Sequence, residues 1–345
     1  TSRTLDDRFW VVAYLVDNGP VRYYLYDRQL GSTDFLFTNR QELEGQPLVK
    51  MHSDVIQSRD GLDLVIYYSL PLEVAGPDDK VPQHPIPMVL VPHGGPWARD
   101  YWGYDPYHQW LANRGYAVMF VNFRSSTGFG KAFTNAGDFE WGEKIMEDQA
   151  DAVQWAIAKG IADPQAVAVM GGSFGGYSTL AGLTFFPDLF ACGVDIVGPS
   201  NLITLMESIP PYWKPMLEMF AKRVGDVRTE EGRALLTKHS PLTYVDRIKR
   251  PLLIGQGAND PRVKQAEADQ IVQAMKAKNI PVTYVLYPDE GHGFARPENR
   301  LSFFAIAEAF LASALEGRYE PVGEDFKNSS VQILEGEDRI LGLKE

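Results

Sequence analysis

The sequence predicts an α/β fold, in which a doubly wound, mostly parallel sheet carries helices on both faces and follows a short β-rich segment. From about residue 86 onward, short apolar runs rich in Val, Ile and Leu alternate with amphipathic stretches. Near-continuous apolar runs are typical of strands that are buried on both faces of a parallel sheet. The predicted strands are PMVLVPHG, YAVMFVNF, AVAVMGGS, CGVDIVG, PLLIGQG and VTYVLYP.

Helices are predicted between these strands from the spacing of their apolar residues. In the third of them, Val263, Ala266, Ile271, Ala274 and Met275 fall near one face at helical spacing. The regular alternation of predicted strands and helices over the rest of the chain is the pattern of a doubly wound domain. The predicted helices are EKIMEDQADAVQWAIAKG, GGYSTLAGLTFF, RVKQAEADQIVQAMKAKN and ENRLSFFAIAEAFLASAL.

The chain divides into three predicted parts. Residues 1–50 form a β-rich segment, because aromatic and β-branched runs are separated by the turn sequences DNGP and LGST. This segment is too short to be a stable sheet alone, so we expect it to pack on the main domain or belong to something larger. Residues 51–318 form the α/β domain, which begins with a strand pair around Asp60 and Gly61. Residues 319–345 are predicted to be a polar C-terminal tail.

Charge and cysteine content limit the partners and the compartment. The net charge of −12 and the pI near 5.0 argue against nucleic acid or a membrane as partner, because phosphate binding depends on Lys and Arg. The single cysteine, Cys192, lies in an apolar run and is predicted to be a buried hydrophobe, and one cysteine excludes an internal disulfide framework. We expect neither a signal peptide nor a membrane span in the first twenty residues, because they carry charges and no long apolar run. We expect a cytoplasmic protein, with a processed or secreted N-terminus left open because the chain begins at Thr1.

A serine between glycines is the first candidate for chemistry. The stretch GGSFG (residues 171–175) matches G-x-S-x-G and follows the predicted strand AVAVM, with a predicted helix after it. A strand, a sharp turn and a helix are the setting of an exposed nucleophile, and glycines there avoid clashes around a strained serine. A phosphate-binding loop or a plain tight turn are the alternatives for Ser173.

Two further residues support the nucleophile interpretation. Asp260 lies in the loop after the predicted strand PLLIGQG, although a turn or helix-capping role is its simplest alternative. His292 lies between glycines after the predicted strand VTYVLYP, a position that does not fit a core histidine. The chain order Ser, Asp, His, with each residue at the carboxyl end of a strand, is that of the α/β-hydrolase arrangement. We therefore predict that Ser173 is the nucleophile, His292 its base, and Asp260 the group that orients the histidine.

An oxyanion hole would complete this site and needs two N–H donors. Phe174 follows the serine at the start of a helix, and its backbone N–H is the first predicted donor. The loop VPHGGPW supplies the second, for which the N–H of Gly95 is preferred over that of the adjacent Gly94. No cofactor and no metal are predicted, because no dinucleotide or phosphate fingerprint occurs and the other histidines lack paired ligand spacing. Those histidines are His52, His84, His93, His108 and His239.

Aromatic residues are candidates for an apolar acyl or P1 pocket, with core packing as an equal alternative for each. The stretch SIPPYWKPMLEMF is predicted to be a lid or an inserted helix that shapes this pocket. The candidates are Trp97, Tyr101, Phe174, Tyr177, Tyr212 and Trp213, of which Trp97, Tyr177, Tyr212 and Trp213 are predicted to bind substrate.

With these residues in place, the chain resembles the prolyl oligopeptidase family of serine peptidases, in particular its acylaminoacyl-peptidase and dipeptidyl-aminopeptidase-like branch. The resemblance rests on HGGPWARDYWGYDPYHQWLANRGYAV, VNFRSSTGFGKAF, GGSFGGY, GANDPRV and YPDEGHGFARPENRL, which occur in this order. It implies an α/β-hydrolase domain, cleavage of short peptides or acylated amino acids, and no cofactor.

The chain departs from the family at two points. Members of the family carry a β-propeller before the hydrolase domain, whereas only about fifty β-rich residues, similar to a last propeller blade, precede it here. The chain is thus a fragment of a longer enzyme or a naturally short version. Some branches also place a tyrosine side chain in the oxyanion hole where this sequence has His93, so the backbone of Gly95 is the second donor predicted here.

Three functions compete at this point. The first is a serine peptidase for short peptides or N-acylated residues. The second is a carboxylesterase, because the same acyl-enzyme machinery cleaves esters more readily than amides. The third is a catalytically inactive binding module, which the intact serine, histidine and aspartate argue against. We also expect a homo-oligomer if exposed apolar surface requires a cover.

Overall fold

The N-terminal segment forms a four-stranded antiparallel sheet in the computed structural model, which describes residues 2–343. The first residue of the predicted N-terminal segment and the last two residues of the predicted tail lie outside the described residues. Aromatic pairs cross the sheet, such as Tyr23 stacked on Phe37 with ring centroids 4.8 Å apart. The strands, in spatial order, are β1 (Ser2–Arg3), β2 (Phe9–Tyr14), β3 (Arg22–Asp27) and β4 (Ser32–Thr38).

The rest of the described chain is built on a nine-stranded sheet with the order β13-β12-β11-β10-β9-β7-β8-β6-β5. The six strands from β8 to β12 in this order pair in parallel, and β5, β6 and β13 add antiparallel pairs at the two edges. All six predicted strands are present. The strands are β5 (His52–Gln57), β6 (Asp63–Ser69), β7 (Ile86–Leu90), β8 (Ala117–Asn122), β9 (Ala162–Gly172), β10 (Cys192–Ile196), β11 (Leu252–Gly257), β12 (Thr283–Tyr287) and β13 (Gln332–Glu335).

Helices cover both faces of this sheet, which confirms the predicted fold class. Side chains of β9 alternate between the faces: Val167 and Val169 pack with α3, α4 and α8, whereas Ala168 and Met170 pack with α1 and α9. The helices are α1 (Pro106–Asn113), α2 (Lys131–Asn135), α3 (Lys144–Ala158), α4 (Phe174–Phe185), α5 (Leu202–Glu207), α6 (Lys214–Arg223), α7 (Glu230–Lys238), α8 (Gln265–Ala277) and α9 (Pro297–Leu315). Short 3-10 helices span Gln41–Leu43, Pro211–Trp213, Pro241–Arg247 and Glu337–Arg339.

The four predicted helices correspond to α3, α4, α8 and α9. The stretch predicted as a lid or inserted helix, residues 208–220, includes the first seven residues of α6. The predicted tail contributes β13, which pairs with β12 at the edge of the large sheet. The boundaries of the three predicted parts remain predictions.

The N-terminal segment is attached to the large domain through hydrogen bonds next to α1. Asp17 is buried and accepts from the backbone N–H of Met51, while the side chain of Gln109 donates to the carbonyls of Asp17 and Val49. The backbone N–H of Tyr104 also donates to a carbonyl of the segment. The segment therefore lies against the loop between β7 and α1, which is one of the loops that build the site.

Candidate active site

Ser173 lies on a sharp turn between β9 and α4, at the carboxyl edge of the parallel strands. Its φ and ψ of 59° and −115° lie in a region that non-glycine residues rarely adopt. The neighbouring glycines are required by close contacts: a β-carbon at Gly171 would lie 2.6 Å from the backbone of Gly175, and one at Gly175 would lie 2.2 Å from the carbonyl oxygen of Pro92. The sequence GGSFG thus folds into a turn that presents the serine side chain at the sheet edge.

The structure brings Ser173, His292 and Asp260 into one hydrogen-bonded row. His292 Nε2 lies 2.9 Å from Ser173 Oγ, and His292 Nδ1 lies 2.7 Å from Asp260 Oδ2. A carboxylate only accepts hydrogen bonds, so Nδ1–H donates to Asp260 and Nε2 is free to accept from the serine hydroxyl. The arrangement can therefore remove the proton from Ser173.

Asp260 is held by its own loop as well as by the histidine. Its Oδ1 accepts from the backbone N–H groups of Arg262 and Val263 at 2.8 and 2.9 Å, while the whole side chain is buried. The turn role considered from the sequence is thus real, but it uses only one oxygen and leaves Oδ2 for His292. Asp260 does not cap α8, which begins at Gln265.

The aspartate and histidine loops are joined to each other. The backbone N–H of Asn259 donates to the carbonyl of Glu290, and the Asn259 side chain donates to the carbonyl of Pro288 at 2.7 Å. Glu290 is buried and its carboxylate accepts from the backbone N–H groups of Ala295 and Arg296. This carboxylate fixes the path of the chain around His292, a contribution that was not predicted from the sequence.

The first predicted oxyanion donor lies directly after Ser173, at the start of α4. Phe174 is the first residue of α4, and the first N–H groups of a helix have no partner within the helix. Within residues 2–343, neither the Phe174 N–H nor the Gly95 N–H has a hydrogen-bond acceptor. A β-carbon at Gly94 would lie 3.7 Å from Ser173 Cβ, so the HGGP loop (residues 93–96) runs directly beside the serine.

His93 orients the HGGP loop rather than reaching into the site. Its Nδ1 lies 2.7 Å from the carbonyl oxygen of Gly94 and its Nε2 lies 2.8 Å from Ser126 Oγ, while its ring stacks on Phe123. A carbonyl only accepts, so Nδ1 carries the proton and the hydroxyl of Ser126 donates to Nε2. Burial lowers the pKa of His93 to about 4, which keeps the ring neutral. Because C=O and N–H point in opposite directions in a trans peptide, the bond to Gly94 turns the Gly95 N–H away from His93.

An aromatic wall lies next to the serine turn. Trp141, which was not singled out from the sequence, contacts the Phe174 ring edge-to-face at 4.6 Å between centroids. Phe220 of α6 contacts both Trp97 and Trp141, at 5.8 and 5.9 Å. The guanidinium of Arg223, also on α6, lies 5.8 Å from the Trp97 ring centroid. Helix α6 therefore packs over aromatic side chains beside Ser173.

The predicted pocket residues divide into three groups. Trp97 belongs to the aromatic wall and is half-buried. Tyr177 is wholly buried, with its hydroxyl donating to the carbonyl of His239, so the prediction that it binds substrate is wrong: it supports Phe174 and Trp141 from behind. Tyr212 is exposed and contacts the ring of Trp213, and both residues lie directly before α6 in the chain.

The structure adds three observations about other kinds of site. Among the residues that it describes, no group of three or more His, Cys, Asp or Glu side chains is placed to hold a metal ion. Within residues 2–343, no helix is both long and apolar enough to cross a membrane. Cys192 is buried as predicted, and burial raises the pKa of its thiol to about 12.

Known proteins match this chain over most of its length. Residues 102–318 match the family described as the prolyl oligopeptidase family. The chain is 60% identical over 344 residues to dipeptidyl aminopeptidase BIII of Pseudoxanthomonas mexicana, which covers 100% of this chain and 50% of that protein. It is 47% identical over 347 residues to dipeptidyl peptidase family member 6 of Caenorhabditis elegans, which covers 96% of this chain and 47% of that protein.

A solved structure is also similar to this chain. A puromycin-hydrolyzing peptidase of Mycobacterium tuberculosis superimposes with a TM-score of 0.77 at 28% identity, covering 89% of this chain and 47% of that chain. The chain thus spans about half the length of the curated relatives that it matches.

Proposed function

The chain belongs to the prolyl oligopeptidase family of serine peptidases, and we propose that it cleaves amide bonds of short peptides or N-acylated amino acids through an acyl-enzyme on Ser173. The observation that carries this proposal is the row of hydrogen bonds from Ser173 Oγ through His292 to Asp260, at 2.9 and 2.7 Å. The resemblance drawn from the sequence motifs is confirmed at the level of the family.

The proposed reaction has two halves. Ser173 Oγ attacks the carbonyl carbon while His292 Nε2 takes the hydroxyl proton, and the negative oxygen that forms accepts from the N–H groups of Phe174 and Gly95. The C–N bond then breaks as His292 returns the proton to the leaving amine, which gives the acyl-enzyme. Water attacks next, again with His292 as base, and the released serine recovers its proton. Asp260 holds the imidazole in the required tautomer and stabilises its charged form.

The substrate class is part of the proposal. Relatives named dipeptidyl aminopeptidase and acylamino-acid-releasing enzyme support peptide or acylated amino-acid substrates. The carboxylesterase alternative uses the same serine, so the two functions differ in the leaving group that the site accepts.

The experiment that tests the proposal compares leaving groups on one acyl part. Hydrolysis of an aminoacyl p-nitroanilide and of the matching p-nitrophenyl ester is measured for the wild type and for Ser173→Ala. We expect both substrates to be cleaved by the wild type and neither by the variant. Ester turnover without detectable anilide turnover contradicts the peptidase proposal and supports the esterase.

We also propose a cytoplasmic location and a homo-oligomeric assembly. A free, buried Cys192 is compatible with the cytoplasm, which cell fractionation with an antibody tests directly.

A homo-oligomer is the second expectation. Large hydrophobic side chains on the N-terminal sheet, among them Phe35 and Phe37, are exposed in the single chain and support it. Size-exclusion chromatography with light scattering measures the assembly.

A further inference from the structure

Two loops flank Ser173 at the carboxyl edge of the sheet. Strand β9 lies between β7 and β10, so the HGGP loop is on one side of the serine and a turn at the end of β10 (residues 195–198, the β10 turn) is on the other. The backbone N–H of Ser173 donates to the carbonyl of Ile196 at 2.8 Å. The N–H of Val197 donates in turn to the carbonyl of Gly255 in β11, at 2.9 Å. The backbone of the serine is therefore held by a peptide group of the β10 turn.

The β10 turn contains a strained residue. Val197 has a φ of 50°, which is an outlier for a β-branched residue and costs free energy. Gly198 packs on α4 with no space for a side chain, because a β-carbon there would lie 2.5 Å from the backbone of Gly176 and 2.7 Å from the backbone nitrogen of Tyr177. Since the φ of Val197 sets the position of Gly198, the strained conformation keeps the β10 turn against the first turn of α4. That helical turn carries the N–H of Phe174.

The side chain of Asp195 lies between the β10 turn and α4. Its Oδ1 accepts from the backbone N–H of Gly198 at 2.8 Å and would lie 2.3 Å from a β-carbon at Gly176. Its Oδ2 is shielded from solvent and has no hydrogen-bond partner within residues 2–343, and the residue is 1% exposed. Burial raises the pKa of this carboxyl group to about 7. A buried carboxyl group with an unpartnered oxygen is unfavourable, so Asp195 adds a second local cost beside the nucleophile.

We propose that Asp195 is a positioning residue for the serine turn, which it holds through its hydrogen bond to Gly198. A strained residue persists only where the surrounding structure over-determines its conformation, and this bond closes the β10 turn across Val197. Without the bond, Val197 can relax to negative φ, which moves Gly198 away from α4 and loosens the peptide group that accepts from Ser173. The Ser173 Oγ and the Phe174 N–H then lose their fixed relative positions. This inference rests on the function proposed for Ser173.

The test removes the hydrogen bond in two variants and keeps it in a third. Asp195→Ala lacks the acceptor, whereas Asp195→Asn keeps an oxygen that can accept from Gly198. Asp195→Ser, with a side chain one atom shorter, is the second disrupting variant in case the alanine variant does not fold. Asp27→Ala is the matched control, because Asp27 is also buried and accepts from two backbone N–H groups of a turn, those of Gln29 and Leu30, but lies in the N-terminal sheet.

The values of kcat and KM are measured on a p-nitrophenyl ester, and the free energy of unfolding is measured in urea. We expect Asp195→Ala and Asp195→Ser to lower kcat about tenfold, the upper value for one neutral hydrogen bond, while KM stays within about threefold. Asp195→Asn should keep kcat within about threefold of the wild type. Asp27→Ala should lower stability without changing kcat, which separates positioning from general destabilisation. A folded Asp195→Ala or Asp195→Ser variant with the wild-type kcat, or an Asp195→Asn variant as impaired as Asp195→Ala, overturns the proposal.

A double variant tests the link between Asp195 and the strained valine. Glycine adopts positive φ readily, so Val197→Gly removes the strain that the hydrogen bond of Asp195 opposes. Asp195→Ala should therefore lower kcat less than about threefold in the Val197→Gly background, against about tenfold in the wild-type background. Equal losses in the two backgrounds overturn the proposed way in which Asp195 positions the serine turn.

Labelling by a fluorophosphonate distinguishes this inference from the function on which it rests. If the wild type is labelled on Ser173 while the folded Asp195→Ala variant keeps the full kcat, only the role of Asp195 is overturned. If the wild type is not labelled and does not cleave the ester, the proposed function is overturned together with this inference.

Discussion

Replacing His93 with phenylalanine tests how the oxyanion hole is built. Phenylalanine keeps a flat ring that can stack on Phe123, where the imidazole now lies 4.3 Å away between centroids. It removes the bond to the Gly94 carbonyl and the acceptor of the Ser126 hydroxyl. The peptide between Gly94 and Gly95 is then free to rotate, and its N–H no longer points consistently away from residue 93.

The size of the effect follows from the value of one oxyanion donor. Complete removal of such a donor lowers kcat by about 10²–10³, and a donor that is merely mobile should lose part of this. We therefore expect kcat of His93→Phe to fall about 10- to 100-fold while KM stays within about threefold. Ser126 is buried, so the double variant His93→Phe/Ser126→Ala removes the unsatisfied hydroxyl and should recover stability without recovering kcat.

The assay measures kcat and KM on a p-nitrophenyl ester from pH 6 to pH 9, with thermal unfolding as the check on folding. Because burial lowers the pKa of His93 to about 4, the ratio of variant to wild-type kcat should be constant over this range. His84→Phe is the control, since His84 is exposed and, within residues 2–343, its side chain bonds only to the carbonyl of Pro85. A folded His93→Phe variant with kcat within threefold of the wild type would refute the role assigned to His93.

Three further predictions follow from the site and its support. Ser173→Ala and His292→Ala should each lower kcat on an aminoacyl p-nitroanilide by about four orders of magnitude or more. A variant that keeps a tenth of the activity would mean that the replaced residue is not essential. Gly175→Ala should lower the free energy of unfolding, measured by urea denaturation, by about 1–3 kcal/mol, because the new β-carbon would lie 2.2 Å from the Pro92 carbonyl oxygen. Gly19→Ala is the control and should be nearly neutral, since its β-carbon would meet no atom closer than 3.4 Å. Burial lowers the pKa of His108 to about 3, whereas the unfolded chain has a value of about 6.5. Between these two pH values the unfolded state binds a proton that the folded state does not bind. The free energy of unfolding therefore falls as the pH drops below about 6.5. His108→Gln should therefore lose less stability than the wild type between pH 7 and pH 5, by about 2 kcal/mol, and identical losses would contradict this assignment.

The sequence predicted those features that follow from local pattern. Continuous apolar runs identified the six parallel strands, because a strand buried on both faces needs no polar alternation. Ser173, Asp260 and His292 were found because each lies directly after such a strand, and parallel strands bring their carboxyl ends to one edge. The helix α6 was expected from its stretch of sequence, although its contacts were not.

Features that depend on contacts between distant segments were not predictable in the same way. Trp141 follows a short helix in a stretch without a motif, and only folding places it against Phe174. Tyr177 was misjudged because a tyrosine four residues after the serine can face either the pocket or the core, and helix packing decides between them. The pairing of β13 with β12 joins segments about 45 residues apart, for which a polar tail gives no local signal.

The central claim is that Ser173 is the nucleophile and that His292 activates it. Its most direct test is to inactivate the protein with a fluorophosphonate, digest it, and locate the added mass by peptide mass spectrometry. We expect one phosphonyl group per chain, carried by Ser173, in proportion to the activity lost, and a rate of labelling that falls sharply in His292→Ala. Full turnover with no adduct on Ser173, or inactivation through a different residue, would contradict it.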